Sequence, residues 1–227
     1  TKDQIKSINE INTDLKSDLK MFRLLQGDVG SGKTIVSFIA AANVIKANWQ
    51  VALMAPTEIL AKQHYDLAKK IFVNTNVKIE LLTGKTERSL KKTINEKTKS
   101  GEINFLIGTH SLFQKNVIFK KLGLIIIDEQ HKFGVKQRIE LAKKGGINCD
   151  ILLMSATPIP RTLVLAFYGD MDVSIISEKP LNRKSIITLS KPEEKIGEII
   201  EFIKTKLKLG IQVFWVCPLI EESKKLD

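Results

Sequence analysis

From Arg23 to about Ile175, short apolar runs alternate with longer stretches in which apolar residues recur every three or four positions. The runs are Arg23–Gln26, VALMAP (Val51–Pro56), VKIELLT (Val77–Thr83), INFLIGT (Ile103–Thr109), GLIIIDE (Gly123–Glu129) and DILLMSAT (Asp150–Thr157). They are too short for buried helices and rich in Ile, Val and Leu, so they read as strands. Between them the helical period predicts helices over about Gly32–Ala47, Glu58–Phe72 and Thr86–Lys99, with a short one near His110–Phe113. Strands that alternate with helices predict an α/β fold: a parallel sheet with helices on both faces.

The periodicity stops at EKPLNRK (Glu178–Lys184), which reads as a linker. Beyond it, SIITLS (Ser185–Ser190), a helix from about Glu193 to Leu209, and IQVFWVC (Ile211–Cys217) read as one more βαβ unit. Three elements do not close a doubly wound domain. The expected division is therefore a first domain over residues 1–180, then residues 181–227 as a linker and the truncated start of a second, from Arg183.

Composition changes this picture little. With 227 residues, 43% hydrophobic and 27% charged, the chain has ordinary globular usage. No run approaches the ~20 apolar residues of a bilayer span, so no membrane is expected. The chain opens on Thr1 and a polar stretch, which reads as a piece of something longer, with no signal peptide in view. Cys149 and Cys217 lie far apart and form no ligand pair, so a reducing compartment is expected, with neither a disulfide framework nor a zinc site.

A net charge of +11 and a pI near 9.5 attract polyanions such as nucleic acid. The cations are mostly Lys, however, and Ile and Asn are plentiful too. A general compositional bias explains the charge equally well. The Lys-rich stretch Lys85–Lys99 reads as a solvated helix face.

Candidate chemistry begins with GDVGSGKT, Gly27–Thr34. Its spacing, Gly-x4-Gly-Lys-Thr after a strand and before a helix, is the phosphate-binding loop pattern. Gly27, Gly30 and Gly32, with Ser31 between, allow a tight turn whose backbone N–H groups face an anion. The helix N-terminus adds its dipole. Lys33 supplies a point charge for the β- and γ-phosphates of ATP, and the Thr34 hydroxyl a ligand for Mg²⁺. Asp128 and Glu129 follow an apolar run and should emerge at the carboxyl edge of the sheet. Asp128 is suited to hold Mg²⁺ through its water shell, and Glu129 to polarise an attacking water. Acids in this place also cap helices, but beside a phosphate loop the catalytic reading prevails.

RLLQGDVGSGKT, QVALMAPTEILAKQHY, EINFLIGTHSLFQ, LGLIIIDEQHKFGVKQR, MSATPIPRTL and YGDMDVSII resemble the helicase core of RecG-type enzymes. These are bacterial branch-migration helicases of superfamily two. QVFWVCPLIEES resembles that family's second motor domain. The resemblance implies two RecA-like motor domains that translocate double-stranded DNA on ATP and remodel stalled forks and Holliday junctions. It also implies a monomer acting in the bacterial cytoplasm.

By the same resemblance Gln4 reads adenine, although an exposed polar residue on a first helix would look the same. Gln130 and His131 sense the γ-phosphate. Ser155 and Thr157 couple hydrolysis to domain movement, a role compatible with capping a helix near Pro158 or Pro160. Pro56 and Thr57, Thr83 and Gly84, and Gly108, Thr109 and His110 match loops that grip the DNA backbone, or are strand-to-helix turns with N-caps. His64 and His110 need carry no chemistry.

The family's wedge domain and the cross-cleft arginines fall outside this span. The chain is therefore expected to bind ATP weakly, hydrolyse little and unwind nothing. The transcription-repair coupling translocase shares GTH and TPIPRT and is the nearest alternative. A nucleotide-binding module without turnover is another. No LSGGQ-like segment supports a transporter ATPase.

Overall fold

The computed structural model describes residues 1–129, 149–157, 171–178 and 186–216. The chain divides into two compact units, Thr1–Asn182 and Arg183–Asp227. In the first, α1 (Lys2–Leu15) precedes β1 (Phe22–Gly27), α2 (Lys33–Lys46), β2 (Gln50–Met54), α3 (Glu58–Ile71), β3 (Ile79–Leu82) and α4 (Arg88–Ser100). Then follow β4 (Phe105–Gly108), a 3₁₀ turn (His110–Phe113), β5 (Leu122–Ile127), β6 (Asp150–Ser155) and β7 (Asp172–Ile176).

The seven strands form one sheet in the order β3-β4-β2-β5-β6-β1-β7, and every pair is parallel. Parallel neighbours need crossover connections, and in the described connections α2, α3 and α4 run between successive strands from β1 to β4. Both faces are buried, which is why the central strands read as unbroken apolar runs. Alternate residues separate into two cores. Val51, Leu53, Phe105, Leu124 and Ile126 pack with Val36, Phe38 and Ala41 of α2 and Ala61 and Ala68 of α3. Ala52, Met54, Leu106, Ile125 and Ile127 pack on the other side with Ile94 of α4 and Leu112 of the 3₁₀ turn.

Helix α1 is held to the far edge by polar groups. Arg23 of β1, only 8% exposed, donates from Nε to Asp14 Oδ2 at 2.6 Å and from Nη1 to Ser174 Oγ of β7 at 3.0 Å. Asp3 Oδ2 accepts from the backbone N–H groups of Ser177 and Glu178, and Glu178 Oε2 accepts from Asp3 N. A buried guanidinium requires such partners, since unpaired it would be strongly destabilising.

The expected strands and helices of the first unit are present with ends shifted by a few residues. In the second unit the helix expected over Glu193–Leu209 is present, but the two expected strands are not, among the described residues. Only a 3₁₀ turn (Glu193–Lys195) and α5 (Ile196–Lys208) form there among the described residues. Residues 186–190 and 211–216, expected as strands, carry no ladder. Their side chains are exposed: Ile187 is 82% and Phe214 86% accessible. A strand is defined by a lateral partner, and apolar residues alone do not supply one. Residues 179–184 of the expected linker, and Gln130, His131, Pro158, Pro160 and Cys217, lie outside the described residues. No described helix is long and apolar enough to cross a membrane.

Candidate functional site

Because every strand is parallel, all their carboxyl ends lie along one edge, where open α/β sheets bind ligands. The strand order divides that edge in two. Strands β5, β6 and β1 are neighbours, and their ends carry Asp128–Glu129, Ser155–Thr157 and the loop Gly27–Thr34. Strands β3, β4 and β2 are neighbours too, and their ends carry Thr83–Gly84, Gly108–His110 and Pro56–Thr57. At roughly 4.8 Å between strands, the ends of β1 and β5 stand about 10 Å apart. A triphosphate with its metal spans such a gap.

The phosphate loop has the conformation its glycines permit. Gly30 (φ 79°) and Gly32 (φ 92°) are left-handed. Gly32 also has no room for a Cβ, since Gln4 Nε2 occupies that space. A Cβ on Gly27 would lie 2.9 Å from the Ile176 carbonyl of β7. Gln4 is half-buried and donates from Nε2 to Ser31 O at 2.7 Å, so it belongs to the loop and is not a free surface residue. Its amide also closes a capping box with Thr1 at the start of α1.

Lys33 is half-buried, and its Nζ donates to Gly27 O at 2.6 Å and Asp28 O at 3.0 Å. Burial lowers its pKa from the usual lysine value, while the charges of Asp128, Glu129 and Asp28 oppose that shift. The ammonium and the two acids of β5 therefore share one electrostatic neighbourhood. Thr34, next in α2, is half-buried at the same helix start.

Asp128, 9% exposed, is fixed from both sides. Its backbone N–H continues the β5–β2 ladder to Met54 O at 2.9 Å. Its Oδ1 accepts from Glu129 N at 3.0 Å, and its Oδ2 lies 2.8 Å from His64 Nε2 on α3. Glu129 has φ 49°, a left-handed conformation uncommon for a non-glycine residue and typical of functional sites. Ser155, fully buried, has its Oγ 3.0 Å from Thr157 Oγ1, and it accepts from Thr157 N at 3.2 Å. Thr157 is exposed.

The other half of the edge is tied together loop to loop. Thr57 caps α3, accepting from Leu60 N at 3.3 Å. Glu58 Oε1 accepts from Lys85 N at 3.1 Å, and Lys91 Nζ donates to Gly84 O at 2.8 Å. Thr57, Gly84 and His110 are exposed and Pro56 is half-buried. Thr83, Gly108 and Thr109 are buried. Thr83 N donates to Thr86 Oγ1 at 2.9 Å, and a Cβ on Gly108 would collide with Leu82 O. Those three residues shape the loops, and the exposed ones present them.

The donor set fits a magnesium-bound nucleoside triphosphate. Ser31 Oγ is buried at the loop with no hydrogen-bond partner among the described residues, as expected of a group that acquires one from a ligand. No three His, Cys, Asp or Glu side chains among the described residues form a metal cage. A magnesium ion here would be held jointly with phosphate oxygens, its usual mode in nucleotide sites.

Sequence reasoning missed His64. Its one signal was its place on the stripe Ala61–His64–Ala68, which α3 turns inward.

A phosphate loop after β1 and an acidic pair after β5, at the carboxyl edge of a parallel sheet, define a RecA-like nucleotide-binding domain. The chain belongs to the DEAD/DEAH box helicase family, whose sequence profile matches residues 1–165. It is 49% identical over 227 residues to the ATP-dependent DNA helicase RecG of Streptococcus pneumoniae, covering 100% of this chain and 33% of that protein. The corresponding figures for RecG of Aquifex aeolicus are 50% over 228 residues, 100% and 29%. A solved structure of RecG bound to a three-way DNA junction superposes with a TM-score of 0.83 at 44% identity, over 97% of this chain and 29% of that one. The resemblance to RecG-type helicases thus extends over the whole chain, which spans about a third of its curated relatives' length.

Proposed function

We propose that residues 1–180 are the first RecA-like motor domain, and residues 181–227 the linker and start of the second, of an ATP-driven translocase on branched double-stranded DNA. Its substrates would be stalled forks and Holliday junctions, in the bacterial cytoplasm. The observation that carries this reading is the adjacency β5-β6-β1, with the Asp128 and Glu129 charges acting on Lys33.

In this reading the amides of Gly30–Thr34 cradle the phosphates, and Lys33 moves from the loop carbonyls to them. Thr34 and Asp128 hold Mg²⁺, which when bound supplies charge neutralisation to the transferring phosphoryl group. Glu129 orients water and accepts its proton. Gln4 reads the base, and Gln130 and His131 sense the γ-phosphate. Ser155 and Thr157 relay nucleotide state to the opposing domain. Pro56, Thr57, Thr83, Gly84, Gly108, Thr109 and His110 shape or present the DNA-facing loops. A backbone grip of this kind depends steeply on salt.

Steady-state ATP hydrolysis tests the proposal. The 227-residue chain alone should turn over slowly, with little response to forked DNA. Extended to its relatives' length, the protein should be stimulated by forked DNA and gain rate by an arginine finger's ~10³–10⁵. Equal, DNA-insensitive rates in the two would overturn it.

A further inference from the structure

At the carboxyl edge a buried side-chain contact forms between His64 and Asp128. It joins two side chains 64 residues apart in sequence, His64 on α3 and Asp128 at the end of β5. Both are buried, at 7% and 9% exposure, and Nε2 stands 2.8 Å from Oδ2. The imidazole is itself wedged in the core: its ring lies 6.4 Å from that of Phe38 of α2, edge to face, and it continues the inward stripe of Ala61 and Ala68. His64 therefore has little freedom to swing away.

We infer that His64 is a positioning residue for Asp128: by donating from Nε2 to Oδ2 it fixes the carboxylate rotamer that presents this group to the nucleotide's metal ion. The inference rests on the nucleotide-site reading above. Three features carry it.

First, the two oxygens of Asp128 are differently engaged. Oδ1 is taken by the N–H of the next residue, Glu129, a local contact that leaves χ1 loosely defined. Oδ2 is held from another element, and among the described residues that bond ties the carboxylate to the body of the domain. Second, an oxygen that accepts one hydrogen bond keeps a lone pair for a metal or its water shell, so the contact is compatible with metal binding. Hydrogen bonds to metal-ligating groups orient them and raise affinity. Third, His64 rides on the helix capped by Thr57, about 10 Å and two turns upstream at 1.5 Å per residue. The helix that presents Pro56 and Thr57 thus also sets the stance of Asp128.

The test uses this chain and a non-hydrolysable ATP analogue, titrated calorimetrically with Mg²⁺ and again in EDTA, with Mn²⁺ electron paramagnetic resonance as a direct readout of metal capture. His64→Phe keeps an aromatic ring beside Phe38 but removes the donor. It should reduce the metal-dependent gain in affinity by about 10- to 100-fold, the cost typical of losing such a partner. Affinity in EDTA should change less than about twofold, because the phosphate loop is untouched. His64→Gln, whose amide reaches as far as Nε2, should restore most of the gain and the Mn²⁺ signal. If His64→Phe does not fold, His64→Leu makes the same comparison.

An undiminished gain in the apolar variant would overturn the inference, as would equal losses with and without metal, or a glutamine variant no better than phenylalanine. Those outcomes leave the nucleotide site intact. A wild-type chain with no metal-dependent gain at all, or one whose affinity for the analogue survives Lys33→Ala, would instead remove the nucleotide-site reading and this inference with it.

Discussion

Lys33→Ala costs the chain its affinity for ATP, by about 100-fold, the equivalent of losing about 3 kcal/mol of charge-assisted hydrogen bonding to phosphate. The ammonium is the one cation the loop itself provides. It is half-buried, held at the loop through the carbonyls of Gly27 and Asp28, and its charge is felt by Asp128 and Glu129. Removing it leaves the two acids facing the incoming phosphates with no nearby countercharge from the loop. The fold should survive, because Lys33 contributes contacts to carbonyls and none to either hydrophobic cluster. Isothermal titration reads the affinity and circular dichroism checks the fold. A variant that binds within about threefold of the wild type would mean that the phosphates bind elsewhere.

The largest effect on stability belongs to Phe105→Ala. Phe105 of β4 is fully buried and lies at the centre of an aromatic trio. Its ring centroid is 5.7 Å from that of Phe38, at 87°, and 6.3 Å from that of Phe72, at 79°. These edge-to-face contacts join α2, the end of α3 and the sheet beneath both. Truncation removes the burial, the ring contacts and the support for α2, which carries Lys33 at its start. The expected cost is about 3–5 kcal/mol. Thermal unfolding should shift down by roughly 10 °C for a protein of this size. Phe214→Ala, at a residue 86% exposed, makes the control and should shift it by about a degree or less. A shift for Phe105→Ala as small as the control's would mean the trio is not the structural centre of that face.

The first unit was legible because its signals are local. An apolar run ending in Asp128 and Glu129 predicts a strand and the edge at which the acids emerge. Gly27-x4-Gly32-Lys33-Thr34 predicts a loop, its anion and the following helix. What spacing does not encode is lateral order. That β6 lies between β5 and β1, so that Ser155 sits between Asp128 and Lys33, follows from the sheet and from no interval along the chain. The same holds for His64, whose partner lies 64 residues away, and for Gln4, whose bond to Ser31 O is set by the docking of α1.

The runs around Ile187 and Phe214 show the converse. Their composition is that of strands, but hydrophobic pattern specifies only a face to be covered. Among the described residues of that unit nothing pairs with them, and they remain exposed and irregular. The loop motifs fall between the two cases. Sequence identifies Thr83 and Thr109 as candidate DNA contacts; both are buried, Thr83 with its N–H bonded to Thr86 Oγ1 and Thr109 with its Oγ1 3.5 Å from Ser111 Oγ. Exposed backbone and Thr57, Gly84 and His110 are what that half of the edge presents.

The most direct measurement is a crystal structure of the chain with a non-hydrolysable ATP analogue and Mn²⁺, located by anomalous scattering. The account predicts one metal peak between Thr34 and Asp128, the former coordinating directly and the latter directly or through one water. Lys33 Nζ should have left Gly27 O for a phosphate oxygen, and Ser31 Oγ should have a partner. A nucleotide bound away from the β1–α2 loop, or a metal with neither Thr34 nor Asp128 in its coordination sphere, would contradict it.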